Sequence, residues 1–552
     1  MEKLKPKLFS VLKHYSKEQF VKDLIAGVIV AIIALPLSIA LAIASGVNPE
    51  RGLYTAIIAG FFISLLGGSR VQIGGPTAAF VVIIYGIIQE YGMNGLIIAT
   101  IMAGFFLIIM GLLRFGTLIK FIPYTITTGF TAGIAVGIFA GQIKDFLGLS
   151  MGSVPSEFLE KMSAYGTHLY TLNWSALLIG TISLLILILW PKITDKIPGS
   201  LIAVILTTAL VKILGLHVNT IGSVYGELSN KFPHLQIPDV NLQILSRLLK
   251  PAFTIALLAG IESLLSCVVS DGMIGSKHRS NMELVAQGVG NIFSGLFGGL
   301  PATGAIARTA ANVKNGGRTP IAGIVHSITL LLILLIFMPL AVLIPMPTLA
   351  AILIMVAYNM SEWRVFVRLI KTAPKSDILI LVTTFVLTVI FDLVVAIEVG
   401  VVLAAILFMK RMADVTDIKS WRYLHKSEDH SLNTNSRNLK EVPEHTLVYE
   451  VNGPMFFGAA DKLLEITKKK ERNIKIIILR MKSVPAMDAT ALHILESIEN
   501  FCSNNDIQLL FSHVQEQPLL VMKKSGFYEK IGPDNFCLHI DDALQKAGVL
   551  EL

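Results

Sequence analysis

Glu262 is the residue whose type and place most demand a chemical role. It lies in Ile255-Ala-Leu-Leu-Ala-Gly-Ile-Glu-Ser-Leu-Leu-Ser-Cys-Val-Val269, an otherwise apolar run. An ionisable group inside such a run is costly to keep and is a functional candidate by default. Ser266 follows one helical turn later, so both side chains project from one face. A carboxyl there can exchange a proton, and with a hydroxyl nearby it can also ligate Na+. The structural alternative is a hydrogen bond that joins two core helices. Arg308 is the second charge within apolar sequence. It can neutralise an anion electrostatically or serve as a structural partner for Glu262, and the sequence leaves both open.

Two segments interrupt apolar sequence with Gly and Pro: Val71-Gln-Ile-Gly-Gly-Pro-Thr-Ala-Ala-Phe80 and Gly299-Leu-Pro-Ala-Thr-Gly-Ala-Ile-Ala-Arg308. Each follows a run that ends in Gly-Gly. Aligning Leu53 with Leu284 also pairs Phe62 with Phe293, Leu65 with Leu296, and Gly67-Gly68 with Gly298-Gly299. Broken helices at matching positions of an inverted repeat point to a site near the bilayer midplane. A helix restarting at Thr77 or Gly304 offers free N–H groups and the positive end of its dipole. An anion held between two such starts needs no buried lysine. Small residues, Gly74, Gly75, Ala78, Gly304 and Ala305 among them, let a ligand approach the backbone, and a bulky side chain at Thr303 or Ala305 would occlude the cavity. Pro36 breaks the ladder of the first apolar run and opens room there, with Ser38 the nearby hydroxyl. The alternatives are plain ones: Gly and Pro that kink packed helices, and a serine bonded to its own helix.

The elements that would position these residues are apolar helices. Hydrophobic residues make up 53% of the 552 and charged ones 15%, where a soluble domain carries about a quarter charged. Apolar runs such as Leu24–Ala44, Leu96–Leu113 and Ile321–Met338 are long enough to cross a bilayer. Roughly fourteen such segments precede Lys410, several of them short. The net charge of +8 does not indicate nucleic acid, because Lys and Arg sit in short loops between apolar runs. Their bias toward alternate loops puts both chain ends on the cytoplasmic side. Three cysteines, two of them in the tail, fit a reducing compartment better than a disulfide framework. Lysine-rich usage and small loops suggest a cell inner membrane of a prokaryote.

The resulting division has four parts. Residues 1–23 read as a cytoplasmic amphipathic segment lying on lipid. Residues 24–411 form the membrane domain, with repeats over about 24–215 and 250–410. Residues 412–443 are polar and read as a linker. Residues 444–552 alternate strands (446–451, 475–479, 508–511) with helices (459–469, 488–501, 516–525, 541–546), a small α/β domain. The carboxyl Glu262 lacks a nucleophile or base partner, there is no metal-ligand cluster, and no P-loop occurs. An enzyme, a metal and a cofactor are therefore not expected.

This order of parts resembles the SulP (SLC26-type) anion transporters. The carriers of that resemblance are QIGGPTAAF, the stretch from ATGAIART to GGRTPIAG, and VPAMDATAL in a tail similar to STAS domains. The resemblance implies two intertwined inverted repeats of seven spans, divided into core and gate, in a protein that is typically a homodimer. It implies half-helices that meet at an anion site and elevator-like movement of core against gate. Leu37, Leu41, Ala305 and Ala307 match site positions in that family, and Glu262 matches its acidic coupling position. Implied substrates include sulfate, bicarbonate and dicarboxylates, taken up with H+ (which the Glu favours) or Na+. Open alternatives are an uncoupled exchanger or channel on the same fold, sodium-coupled bicarbonate uptake, and a nucleobase permease, which the STAS-like tail disfavours. In the tail, the family pattern Asp-Ser-Ser/Thr-Gly is here Asp488-Ala-Thr-Ala491. The usual phosphoacceptor position is Ala489, so regulation would fall to Asp488 and Thr490, and docking of a cytosolic partner or dimerisation becomes the main reading of the domain.

Overall fold

The computed structural model describes residues 4–117, 123–152, 154–194, 197–391, 393–421, 442–443, 445–456 and 474–550. It divides into two compact units, Met1–Val401 and Val402–Leu552.

The first unit is helical. Its first repeat holds α1 (Lys7–Val11), α2 (Lys17–Ala44), α3 (Pro49–Leu66), α4 (Val81–Leu112), α5 (Tyr124–Leu147), α6 (Phe158–His168), α7 (Trp174–Leu189) and α8 (Gly199–Leu214). The short α9 (Ile221–Tyr225) precedes the second repeat. That repeat holds α10 (Leu242–Ile274), α11 (Ser280–Leu296), α12 (Ile306–Lys314), α13 (Ile321–Ala341), α14 (Met346–Ser361), α15 (Trp363–Thr372), α16 (Lys375–Ile390) and α17 (Leu393–Val415). Among the described residues, seven helices are long and apolar enough to cross a membrane by length and composition. One of them, counted from Ala78 through Leu112, is two elements joined at Gly92, where φ is 63° and ψ −166°. Only glycine adopts that conformation without strain, so the chain kinks there at little cost.

The helices sort into two bodies. In one, α11 packs on α3 and α4, α10 on α4 and α12, and α13 on α2 and α3. In the other, α14 and α16 pack on α5, and α7 packs on α8 and α14. Fewer contacts join the bodies, through α2 against α8 and α14. Small residues set the spacing. A side chain on Gly104 of α4 would meet the backbone of Gly288 on α11, and the reverse also holds, so the two helices cross with their backbones in contact.

The helix that contains the first apolar run starts earlier than its apolar residues do. Ser16 Oγ accepts from Gln19 N at 3.1 Å and caps α2, whose polar first turns take up 17–23. The remainder of the segment expected to lie on lipid is pinned to other parts of the unit. Lys7 N donates to Gly67 O at 2.8 Å, Lys7 Nζ to Lys277 O at 2.8 Å, and Arg279 Nη1 to Lys5 O at 2.7 Å.

The second unit carries a five-stranded sheet in the order β3 (Asp417–Trp421), β4 (Thr446–Asn452), β5 (Ile476–Ser483), β6 (Gln508–Ser512), β7 (Phe536–Cys537). β3 is antiparallel to β4 and the remaining pairs are parallel. Tyr449, Leu479 and Phe511 stand in register and pack with Leu495 and Ile498 of the helix Ala489–Asn504. Val448, Ile478 and Leu510 fill the opposite face against the helix Ile540–Leu550. The stretch read as a linker therefore contains a strand. Asp417-Ile-Lys-Ser-Trp421 is too short and polar to announce itself, but it covers the edge of β4. The helix expected at 459–469 lies outside the described residues.

Candidate functional site

The two interrupted segments meet. Gly74-Gly75 (β1) and Thr303-Gly304 (β2) form a two-residue antiparallel ladder, Gly74 opposite Gly304 and Gly75 opposite Thr303. Ala305 N extends it by donating to Ile73 O at 2.9 Å. Phe62 and Phe293, aligned by the internal repeat, stack at 4.1 Å between centroids with an interplanar angle of 13°. Corresponding residues of the two repeats thus face each other, as a pseudo-two-fold axis through the site requires.

Breaking a helix inside hydrocarbon frees backbone groups that must find partners. Buried side chains supply them. Glu283 Oε2 accepts from Gly68 N at 2.8 Å and Ser69 N at 3.0 Å. Asn312 Nδ2 donates to Val71 O at 2.9 Å, and Ile73 N donates to Thr309 Oγ1 at 3.1 Å. In the other segment Asn291 both donates to Ala302 O and accepts from Ala302 N, each at 2.8 Å, while Leu300 N donates to Thr55 Oγ1 at 2.6 Å. Gln72 Nε2 reaches Ser263 O and Oγ at 3.1 and 3.0 Å. A side chain on Gly304 would overlap that amide, which is why the ladder carries glycine there.

Beyond the ladder both chains turn helical, through Ala78–Phe80 into α4 and at Ile306 into α12. Neither start has a side-chain cap: Thr77 and Ala305, at the N-cap positions, make no capping bond. The dipole ends of two helices are therefore left for a ligand. Ala307 is exposed, Ala305 and Thr77 are half-buried, and Gly75, Ala78, Thr303 and Gly304 are buried. Thr303 Oγ1 donates to Ala259 O at 2.8 Å, so its hydroxyl is spent on α10.

Glu262, on α10, is half-buried and accepts from Thr77 Oγ1 at 3.1 Å. The N-cap residue of the first half-helix is thus tied directly to the carboxyl. Ser266 turns instead to Thr309 Oγ1 of α12 at 3.4 Å. Arg308 is buried and donates from Nη2 to Pro76 O at 2.8 Å. Its Nε and Nη1 are buried without a hydrogen-bond partner, and among the described residues it makes no ion pair with Glu262. Of the two roles open to it, the ion pair with Glu262 is not the one found. Leu37 is half-buried, and Ser38 and Leu41 are buried on α2. The Ser38 hydroxyl has no partner and touches neither half-helix start by a hydrogen bond among the described residues.

Reading the sequence missed the residues that hold the crossing in place. Glu283, Gln287 and Asn291 recur at four-residue spacing on α11, with Gln287 Nε2 donating to Glu283 Oε1 at 2.9 Å. A polar stripe at helical spacing within apolar sequence is the signal that reveals them. Asp23 is a second such residue: it accepts from Arg318 N at 2.8 Å and Thr319 Oγ1 at 2.6 Å, tying α2 to the segment between α12 and α13.

With this geometry in view, comparison with known proteins is decisive. The profile of the sulfate permease family matches residues 20–384, and that of the STAS domain matches 437–547. The chain belongs to the sulfate permease family. It is a multi-pass membrane transporter with a C-terminal STAS domain, not an enzyme. The transporter is 44% identical over 535 residues to the "putative sulfate transporter YvdB" of Bacillus subtilis, covering 96% of this chain and 98% of that one. It is 31% identical to the "bicarbonate transporter BicA" of a Picosynechococcus species, over 95% and 94% of the two chains. The fold matches the structure of the murine Slc26a9 anion transporter with a TM-score of 0.88 at 18% identity, covering 99% and 94%.

In the transporter's STAS domain, Asp488 is the N-cap of Ala489–Asn504, its Oδ1 accepting from Ala491 N at 2.8 Å. Ala489 and Thr490 are exposed in the first turn. Asp488→Ala is expected to lower the stability of the domain by about 1 kcal/mol, the ordinary cost of a lost cap. Chemical unfolding followed by the far-ultraviolet signal of the full chain measures it; a Thr490→Ala variant, which loses no cap, should remain within about 0.5 kcal/mol of the parent.

Proposed function

We propose that the chain is a secondary active carrier of small anions of the sulfate, bicarbonate or dicarboxylate class, driven by protons. The anion sits between the uncapped starts at Thr77-Ala78 and Ala305-Ile306-Ala307, where backbone N–H groups are its donors. Leu37, Ser38 and Leu41 line the α2 side, and Arg308 adds positive potential from one turn into α12. The single observation that supports the coupling is the Thr77–Glu262 hydrogen bond, which joins this carboxyl to the start of the first half-helix. A carboxylate there repels an anion and a carboxylic acid does not, so proton and anion bind together. Ser266, one turn on from Glu262 in the same coupling site, also reaches Thr309 Oγ1 of α12.

Transport follows from the two helix bodies. The body with α2, α3, α4 and α10–α13 carries the site, and it slides as an elevator along the body with α5, α7, α8, α14 and α16. Few contacts between them leave that motion open. In this reading the protein lies in a cell inner membrane as a homodimer with both termini cytoplasmic, and the STAS domain serves assembly or docking of a cytosolic partner.

The test is uptake into proteoliposomes of labelled sulfate, bicarbonate, chloride and a C4-dicarboxylate, under imposed proton and sodium gradients in turn. Accumulation of one oxyanion accelerated by a proton gradient alone is the expected result. Acceleration by sodium alone would transfer the coupling to Na+, and equal uptake without a gradient would make the protein an exchanger or channel.

A further inference from the structure

A groove of about 600 Å³ opens between the two helix bodies, away from the anion site. Its walls are α2 (Ile39), α8 (Val204, Thr208, Lys212) and the end of α13 (Phe337) with Ile344 beyond it. On α2 and α13 the lining residues (32–39 and 333–341) fall in the C-terminal halves of the helices, and on α8 they reach the last turn. From Leu201 to Lys212 it extends about 16 Å at 1.5 Å per residue, close to half of a hydrocarbon core of about 30 Å. That is the depth of one lipid leaflet.

Three features of the groove constrain what fills it. Its lining is apolar apart from Thr208 and Lys212. Thr208 Oγ1 is buried without a hydrogen-bond partner. Lys212 is exposed at the end of α8, where a left-handed Gly215 stops the helix, and it makes no ion pair among the described residues. An unfilled groove of this size would leave its walls without dispersion contacts, and in a bilayer the molecules at hand are acyl chains. A lysine at the rim of an acyl-lined groove reaches the headgroup layer, where it attracts phosphate. Lys212 in the last turn of α8 also complements that helix's dipole, which by itself explains the charge but not the apolar groove below it.

We infer that this groove is a binding site for one anionic phospholipid, an acyl chain between α2, α8 and α13 and its phosphate at Lys212. The lipid fills the seam along which the two helix bodies meet, so its departure or exchange accompanies any sliding of one along the other. That consequence rests on the elevator reading above; occupancy of the groove does not.

The experiment counts lipids on the purified full-length protein by native mass spectrometry. Palmitoyl-oleoyl phosphatidylglycerol and the phosphatidylcholine with the same chains are added at equal mole fraction. The expected result is one phosphatidylglycerol per chain, retained several-fold more than phosphatidylcholine. Lys212→Gln should equalise the two lipids while leaving the adduct. Ala209→Trp, at an exposed position on the groove wall, should remove both adducts. Equal retention of the two lipids by the parent protein would overturn the proposal, as would a Lys212→Gln variant that keeps the preference or an Ala209→Trp variant that keeps the adduct. The count requires no transport, so a failed lipid site and a failed anion reading are told apart.

Discussion

Glu262→Gln is expected to abolish proton-driven accumulation of the anion while leaving exchange of internal for external anion in place. The substitution keeps the size of the side chain and an oxygen that can accept from Thr77 Oγ1, so the 3.1 Å contact to the helix start survives. What it removes is the ability to become negative. A carboxylate about 5–8 Å from a bound monoanion, at an effective dielectric constant of about 20, disfavours that anion by roughly 2–3 kcal/mol. That corresponds to roughly 30- to 150-fold in affinity, and it is the coupling that a proton relieves. Anion affinity of the variant, measured by competition in proteoliposomes, should therefore be high and independent of pH, where the parent loses affinity as pH rises. Uptake that keeps the parent's pH dependence would remove Glu262 from the coupling step. A variant that has lost exchange as well would assign the carboxyl to the scaffold.

The second large effect is expected at Glu283, in the first turn of α11. Its carboxylate accepts from Gly68 N, Ser69 N and Gln287 Nε2, with Ser263 Oγ at 3.4 Å, all in a buried setting. Glu283→Ala leaves two backbone N–H groups and an amide without partners where water does not replace them. Each buried orphan costs about 1–3 kcal/mol. The variant should lose its sharp melting transition in detergent, or melt far below the parent, and its anion affinity should fall because the ladder of Gly74-Gly75 with Thr303-Gly304 hangs from this loop. Glu283→Gln, which keeps an acceptor oxygen for Gly68 and Ser69, should recover most of the stability. An alanine variant that melts with the parent would show that the crossing is held by packing alone.

The contrast between these two carboxylates shows what a sequence can disclose. Glu262 was legible because it stands alone in apolar sequence, and the cost of burying a lone charge makes any such residue conspicuous. Glu283 was not, because it opens a helix near Lys277, His278 and Arg279 and looks like one more polar residue at a loop. Its partners Gly68 and Ser69 lie 215 and 214 residues away along the chain, so no local pattern announces the contact. Arg308 is a third case. Its charge was visible, but only the packed structure places it on Pro76 O rather than on Glu262. In the second unit the alternation of β4, β5 and β6 with helices was readable because buried parallel strands are continuous apolar runs. The edge strands β3, short and polar, and β7, only Phe536-Cys537, take their conformation from the neighbour they pair with.

What the sequence determined by itself is therefore the class of the molecule and the location of the breaks: a polytopic helical protein, an internal repeat, two interrupted segments, one intramembrane carboxyl and an α/β tail. Those follow from hydrophobic patterning, from the backbone limits of Gly and Pro, and from the cost of an isolated charge, all of which act over a few residues. The tertiary structure alone decided which broken ends face each other, which buried side chains take up the freed N–H and C=O groups, and that Thr77 is bonded to Glu262 while Ser266 is not. These are contacts between residues far apart in the chain. They exist because a bilayer offers no water to satisfy a broken helix, so the freed backbone groups take their partners wherever the fold brings them.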